Sequence, residues 1–177
     1  MFFANVNDAK NLTWHANGRK CDRLLRHATD SPQWKKIDSL YHEFGRDPRN
    51  LKLGLATDGM NPYGNLSSTH SSWPVLLIIY NLSYWLCMKR KYMMLSMMIS
   101  GPRHLRNDID VYLSPLIEDL RWLWDEGIEV FDAHERSNSI CYYGLLMIFH
   151  HMEVLVVIVS KDIMLAQYVK RTRVTIS

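Results

Sequence analysis

The hydrophobic pattern changes period between Leu51 and Gly127, and that change constrains the fold more than any other feature of the chain. Leu51, Leu53 and Leu55 alternate with Lys52 and Gly54 up to Asp58-Gly59, which predicts a strand ending on a carboxylate. Asn61-Pro62-Tyr63-Gly64-Asn65 then breaks the chain. Trp73 to Asn81 follows, holding Val75-Leu76-Leu77-Ile78-Ile79-Tyr80, which is apolar on both faces like a central strand. Lys89-Arg90-Lys91 supplies a polar turn before a third apolar run, Tyr92 to Ile99, that stops at Gly101-Pro102. Three runs joined by short turns predict an antiparallel meander. From there the period becomes helical: Val111, Leu113, Leu116, Ile117, Leu120, Leu123 and Trp124 recur on one face until Gly127. This predicts a helix over about 108–126, with Asn107 or Asp108 as its N-cap. The expected core is Leu53, Leu55, Val75, Leu77, Ile79, Leu95, Met97, Leu116, Leu120 and Leu123.

Ahead of this unit, residues 1–50 read as a polar extension with one short helix over about 32–43. There Ser31-Pro32 provides an N-cap and a first-turn proline, and Trp34, Ile37, Leu40 and Tyr41 follow at helical spacing. A chain of 177 residues, 47% hydrophobic and 22% charged, can bury a core and excludes global disorder. Cys21, Cys87 and Cys141 offer neither a disulfide framework nor zinc spacing. His15 and His27 bracket Cys21 without a ligand spacing and take bland roles; Trp14, Trp34, Trp122 and Trp124 read as core anchors rather than base-stacking residues. The N-terminus lacks a secretory signal, so a cytoplasmic or nuclear protein is expected and a secreted one is not. Ile140 to Ser160 is long enough to span a bilayer, but His150, His151 and Glu153 at its middle argue against a membrane partner. A net charge of +3 permits nucleic-acid contact without arguing for it, and Lys89, Arg90 and Lys91 are the candidate phosphate contacts.

Several strings stand in one order: Thr13-Trp14-His15-Ala16, Asp30-Ser31-Pro32-Gln33-Trp34-Lys35, Asp47-Pro48-Arg49-Asn50, Leu53-Gly54-Leu55-Ala56-Thr57-Asp58-Gly59-Met60-Asn61-Pro62, Ser72-Trp73-Pro74-Val75, Ser100-Gly101-Pro102 and Asn107-Asp108-Ile109-Asp110-Val111-Tyr112-Leu113. Together they resemble the transposase domain of plant CACTA-type (En/Spm-like) elements over about residues 10–133. The resemblance implies an α+β, ribonuclease-H-like domain, here a partial one: a three-stranded antiparallel meander followed by a helix. It also implies DNA as partner, a nuclear location, no small-molecule substrate, and an acidic triad holding two Mg2+ or Mn2+ ions for DNA cleavage and strand transfer. Asp58 matches the family's first metal-binding carboxylate, where a hard oxygen ligand is held at a strand end. Asp108 and Asp110 read instead as helix-capping groups.

The likeness stops after Phe131-Asp132-Ala133. The family continues into a strand of the type Leu-Trp-Thr-Ile-Asn-Asp-Phe-Pro, whose Asp is the second ligand, whereas this chain has Tyr142 to Glu153 with Ile148 where that Asp falls. A consistent choice of codons for Tyr142 to Glu153, read one base out of register, spells the family strand, so a frameshift between about 134 and 142 is expected. The expected divisions are an extension at 1–50, a partial core at 51–133 and a frameshifted tail at 134–177. The expected function is that of a degenerate transposase unable to cut DNA. Alternatives are a co-opted DNA- or protein-binding domain and, more weakly, a membrane-associated protein using 140–160.

Overall fold

The computed structural model describes residues 2–20, 22, 24–58, 71–101, 109–145, 159–160 and 163–164. Helices α1 (Val6–Leu12) and α2 (Trp14–Asn17) open the chain. A 3-10 turn at Ala28–Asp30 leads to α3 (Pro32–Leu40) and α4 (His42–Arg46). Ser31 caps α3, its hydroxyl accepting from the Trp34 amide. The single helix expected over 32–43 is broken at Tyr41, whose backbone (φ −122°, ψ 72°) leaves the helical region before α4 begins.

Strands β1 (Leu51–Thr57), β2 (Ser71–Ile79) and β3 (Met93–Gly101) form the expected antiparallel meander, with the short helix α5 (Tyr84–Cys87) in the β2–β3 connection. Tyr92, expected to begin the third strand, closes a 3-10 turn instead. Helix α6 (Ile109–Asp125) follows, then the hairpin β4 (Ile128–Asp132) and β5 (Ser137–Cys141), and then β6 (Tyr143–Leu145). The sheet order is β3-β2-β1-β6, with β6 parallel to β1 in the register Leu51–Tyr143, Lys52–Gly144, Leu53–Leu145. A parallel neighbour cannot be reached by a tight turn, and α6 with the hairpin provides the crossover. Two further two-residue strands, β7 (Val159–Ser160) and β8 (Ile163–Met164), pair with each other.

Helix α6 continues through Pro115, which removes one hydrogen bond and costs about 3 kcal/mol in a helix interior. Burial of Leu116 and Leu120 in the core shared with Leu53, Leu55 and Leu145, at about 1.5–3 kcal/mol for each side chain, offsets this. Gly127 ends the segment at φ +70°, where an added Cβ would lie 2.6 Å from Ile140 Cγ2. The expected N-cap, Asn107 or Asp108, lies outside the described residues.

Most of the expected core is buried: Leu53, Leu55, Val75, Leu77, Ile79, Leu116 and Leu120, with Met97 and Leu123 packed partly against them. Leu95 is a correction. It is 57% exposed because the register shift between Val75 and Leu76 leaves Ser96 unpaired and sets Leu95 opposite Leu76, on the other face from Val75 and Leu77. Trp122 is another, exposed on the outer side of α6, whereas Trp34 is core and Trp14 and Trp124 are partly buried.

Packing runs on across residues 50 and 133. Phe3, Ala9 and Leu12 belong to the same core as Leu53, Leu120 and Leu145, and the Ala133 amide donates to the Phe3 carbonyl. Buried asparagines join the parts. Asn50 Nδ2 donates to the Phe44 carbonyl while its Oδ1 accepts from the Tyr142 amide, both at 2.9 Å. Asn81 Oδ1 accepts from the Lys52 amide at 2.7 Å, and its Nδ2 donates to the Asn50 carbonyl at 2.9 Å. Gly144 lets β6 in, since a Cβ there would stand 2.9 Å from both the Phe44 and Trp124 rings.

Candidate functional site

Strand β1 positions the one carboxylate that the sequence singled out. Its last residue, Thr57, pairs with Val75, and Asp58 follows directly, exposed to solvent. Two buried polar groups at this end lack a hydrogen-bond partner, the Thr57 hydroxyl and the Trp73 indole N–H. Neither is an anionic oxygen, and an indole N–H can only donate. A hard divalent cation needs about six oxygen ligands, yet among the described residues no three His, Cys, Asp or Glu side chains come together to hold a metal ion. Among the described residues Asp58 is thus not part of a cluster of three such side chains. The side chains of Asp108 and Asp110 lie outside the described residues, as does Ile148.

A second carboxylate, Asp132, closes the β4–β5 hairpin. Its buried carboxylate accepts from the His134 and Glu135 amides at 2.8 and 3.2 Å, so it holds the β4–β5 turn, in which Arg136 adopts a positive φ of 55°. The same turn borders a cleft of about 1070 Å3 whose lining includes Asn50. Asp58 is eight residues further along, about 25 Å at strand rise. Cleft and carboxylate thus occupy opposite ends of the sheet. Arg49, which also lines the cleft, is neutralised by Asp47 through bonds of 2.9 and 2.7 Å, and these hold the Asp47 carboxyl below its ordinary pKa.

The basic turn also lies away from Asp58. The β2–β3 ladder begins its lower end at Ile78–Met93, whereas Thr57 aligns with Val75 and Met97 towards the other end. Lys89 and Arg90 are exposed beside Met93 in sequence, so they and Asp58 do not form one site. Lys91 already has a partner: its Nζ donates to both oxygens of Asp8 at 2.8 and 2.7 Å, and Tyr92 Oη donates to Asp8 at 2.7 Å. Burial raises the pKa of Asp8, but the Lys91 and Tyr92 hydrogen bonds outweigh it and leave the carboxyl below its usual value. Lys91 therefore ties α1 to the turn before β3.

The most unusual charge was not foreseen. Lys52 alternates with leucines as an outward-facing strand residue would, yet it is 3% exposed. Its Nζ lies 2.6 Å from Asp38 Oδ1 and 3.9 Å from the centroid of the Trp34 ring. Burial pushes its pKa below the usual lysine value, with Asp38 acting against that shift. Two-residue periodicity marks which residues share a face and carries no signal that α3 covers the second face. His15 packs edge-on to Trp34, with ring centroids 5.3 Å apart. Burial, reinforced by the Lys52 charge, lowers its pKa from 6.5 to about 4. His27 takes a structural role, capping the 3-10 turn through the Thr29 amide.

No helix among the described residues is long and apolar enough to cross a membrane. No curated protein and no solved structure matches the chain. The model of a family described as transposase family tnp2 matches residues 22–158, continuing beyond Ala133 through β5 and β6. With most of its length matched, and with β1, α6 and β6 all inside the match, the chain belongs to the tnp2 transposase family.

Proposed function

We propose that this is a transposase-derived chain of the plant CACTA (En/Spm-like) type, with a ribonuclease-H-like core whose ancestral chemistry was divalent-metal-dependent DNA cleavage and strand transfer, and that it does not perform that chemistry itself. The observation that carries the reading is Asp58 directly after β1, in a sheet where β1 lies between an antiparallel β2 and a parallel β6. In sheets with parallel neighbours and helical crossovers, ligands gather outside the carboxyl ends of the strands. Asp58 stands at such an end. Mg2+ or Mn2+, when held there by a full carboxylate set, would stabilise the attacking and leaving oxygens of phosphoryl transfer. Asp58 is an exposed carboxylate, and Ile148 stands where the resemblance expects a second one, within the stretch that the family match covers. DNA is the proposed partner and the nucleus the proposed location.

The test is nicking of supercoiled plasmid by the purified chain with Mg2+ or Mn2+. No nicking above background is expected, with or without Asp58→Ala. Metal-dependent nicking abolished by Asp58→Ala would show that another carboxylate completes the centre and would refute the inactive reading. Restoring the shifted frame in a longer chain that includes the downstream carboxylate is expected to bring nicking back.

A further inference from the structure

Ser83 to Tyr92 folds into two consecutive tight turns, α5 and the 3-10 turn at Arg90–Tyr92, closed by the Leu86 and Cys87 amides on the Ser83 carbonyl, Lys89 on Leu86 and Tyr92 on Lys89. Cys87 and Tyr92 face the core, while Tyr84, Trp85, Met88, Lys89, Arg90 and Lys91 remain exposed. Two adjacent aromatics at 57% and 51% exposure contravene the usual burial of such rings in a small domain. They are nevertheless held in place. The Trp85 ring stands edge-on to Tyr84, with centroids 4.6 Å apart at 86°, and to Trp14 at 6.0 Å and 72°. A fixed, half-exposed indole loses little freedom when a flat partner covers it.

The surrounding charge says which partner. Residues 83–92 contain three cations and no acid. Lys91 is fixed by Asp8, and among the described residues neither Lys89 nor Arg90 forms an ion pair. A purely apolar partner would leave two charges unmatched, and a phosphate alone would leave the indole uncovered. A single-stranded nucleic acid satisfies both: its unpaired bases stack on aromatic faces while its phosphates meet the cations. Duplex DNA keeps its bases stacked internally and offers only phosphates to such a patch.

We propose that the Tyr84–Trp85 pair, with Lys89 and Arg90, is a binding surface for unpaired DNA, at the opposite end of the sheet from Asp58. The choice of DNA over RNA rests on the transposase reading; the single-strand chemistry rests on this patch.

The experiment is fluorescence anisotropy of the full chain with labelled oligo-dT, oligo-rU and duplex DNA, each about 16 units long, the upper range of site sizes for such surfaces. Tighter binding to single strands than to the duplex is expected. Trp85→Ala should weaken it about 5- to 150-fold, the range for loss of one stacked base, and Trp85→Phe should largely preserve it. Lys89→Gln with Arg90→Gln should lower the slope of log affinity against log salt by about 1.4, at roughly 0.7 for each phosphate contact on a single strand. If Trp85→Ala does not fold, Tyr84→Ala and the double glutamine variant carry the test, since neither touches the buried core. Equal binding to dT and rU, or a preference for dT, supports the surface; a preference for rU overturns the assignment to DNA. Duplex binding as tight as single-strand binding, or single-strand binding indifferent to both Trp85→Ala and the charge changes, overturns the proposal. None of these outcomes involves cleavage, so they leave the Asp58 test independent.

Discussion

Lowering the pH from 7 to 5 should destabilise the chain through His15. Its Nδ1 lies 3.3 Å from the Leu12 carbonyl and 3.4 Å from Asn81 Nδ2, satisfying one or the other according to tautomer, and the ring packs beside Trp34. Burial first, and the nearby Lys52 ammonium second, bring its pKa from 6.5 to about 4. The folded-state value lies below the unfolded one, so between these limits the unfolded chain binds a proton that the folded chain refuses. Stability from this group is present above about pH 6.5 and lost as pH falls towards 4. For one site with these two values the loss is about 2 kcal/mol between pH 7 and pH 5, and roughly 3 kcal/mol when complete. His27, lowered mainly by burial, adds in the same direction. The assay is urea unfolding followed by circular dichroism at pH 7, 6 and 5, comparing the chain with His15→Gln. The variant should start less stable, through its lost contacts, but lose about 2 kcal/mol less over this range. Equal pH dependence in both chains, or an NMR titration of His15 with a midpoint above 6, would refute the burial argument.

Asn81→Ala leaves the Lys52 amide and the Asn50 carbonyl without partners in a fully buried position, and should cost about 2–4 kcal/mol, read as a lower urea midpoint with unchanged slope. Gly144→Val drives a side chain into Phe44 and Trp124 and should destabilise by about 1–3 kcal/mol or prevent folding; a neutral result would mean that β6 does not dock beside β1.

Periodicity was sufficient for the meander and for α6, because local patterning fixes which residues share a face whether or not the partner is known. It located Leu53, Val75, Leu116 and Leu120 in the core for the same reason. It also placed Asp58 just beyond a strand end, since the turn residues after Thr57 are a local signal. What the sequence could not fix was the number of faces each strand would bury. Lys52 reads as an outward residue because alternation is silent about α3 arriving over the second face; Leu95 reads as core because nothing local reveals the bulge that sets it on the other face from Met97. Tyr143–Leu145 becomes a strand through pairing with residues 92 positions earlier, a contact no sequence window contains. The relation among the candidate residues was likewise a tertiary matter. Asp58, the Lys89–Lys91 turn and Asp132 are all legible as charged turn residues, but only the antiparallel direction of β1, β2 and β3 sends the first to one end of the sheet and the second to the other. The fold, through strand direction and packing, separates groups that the sequence presents as one set.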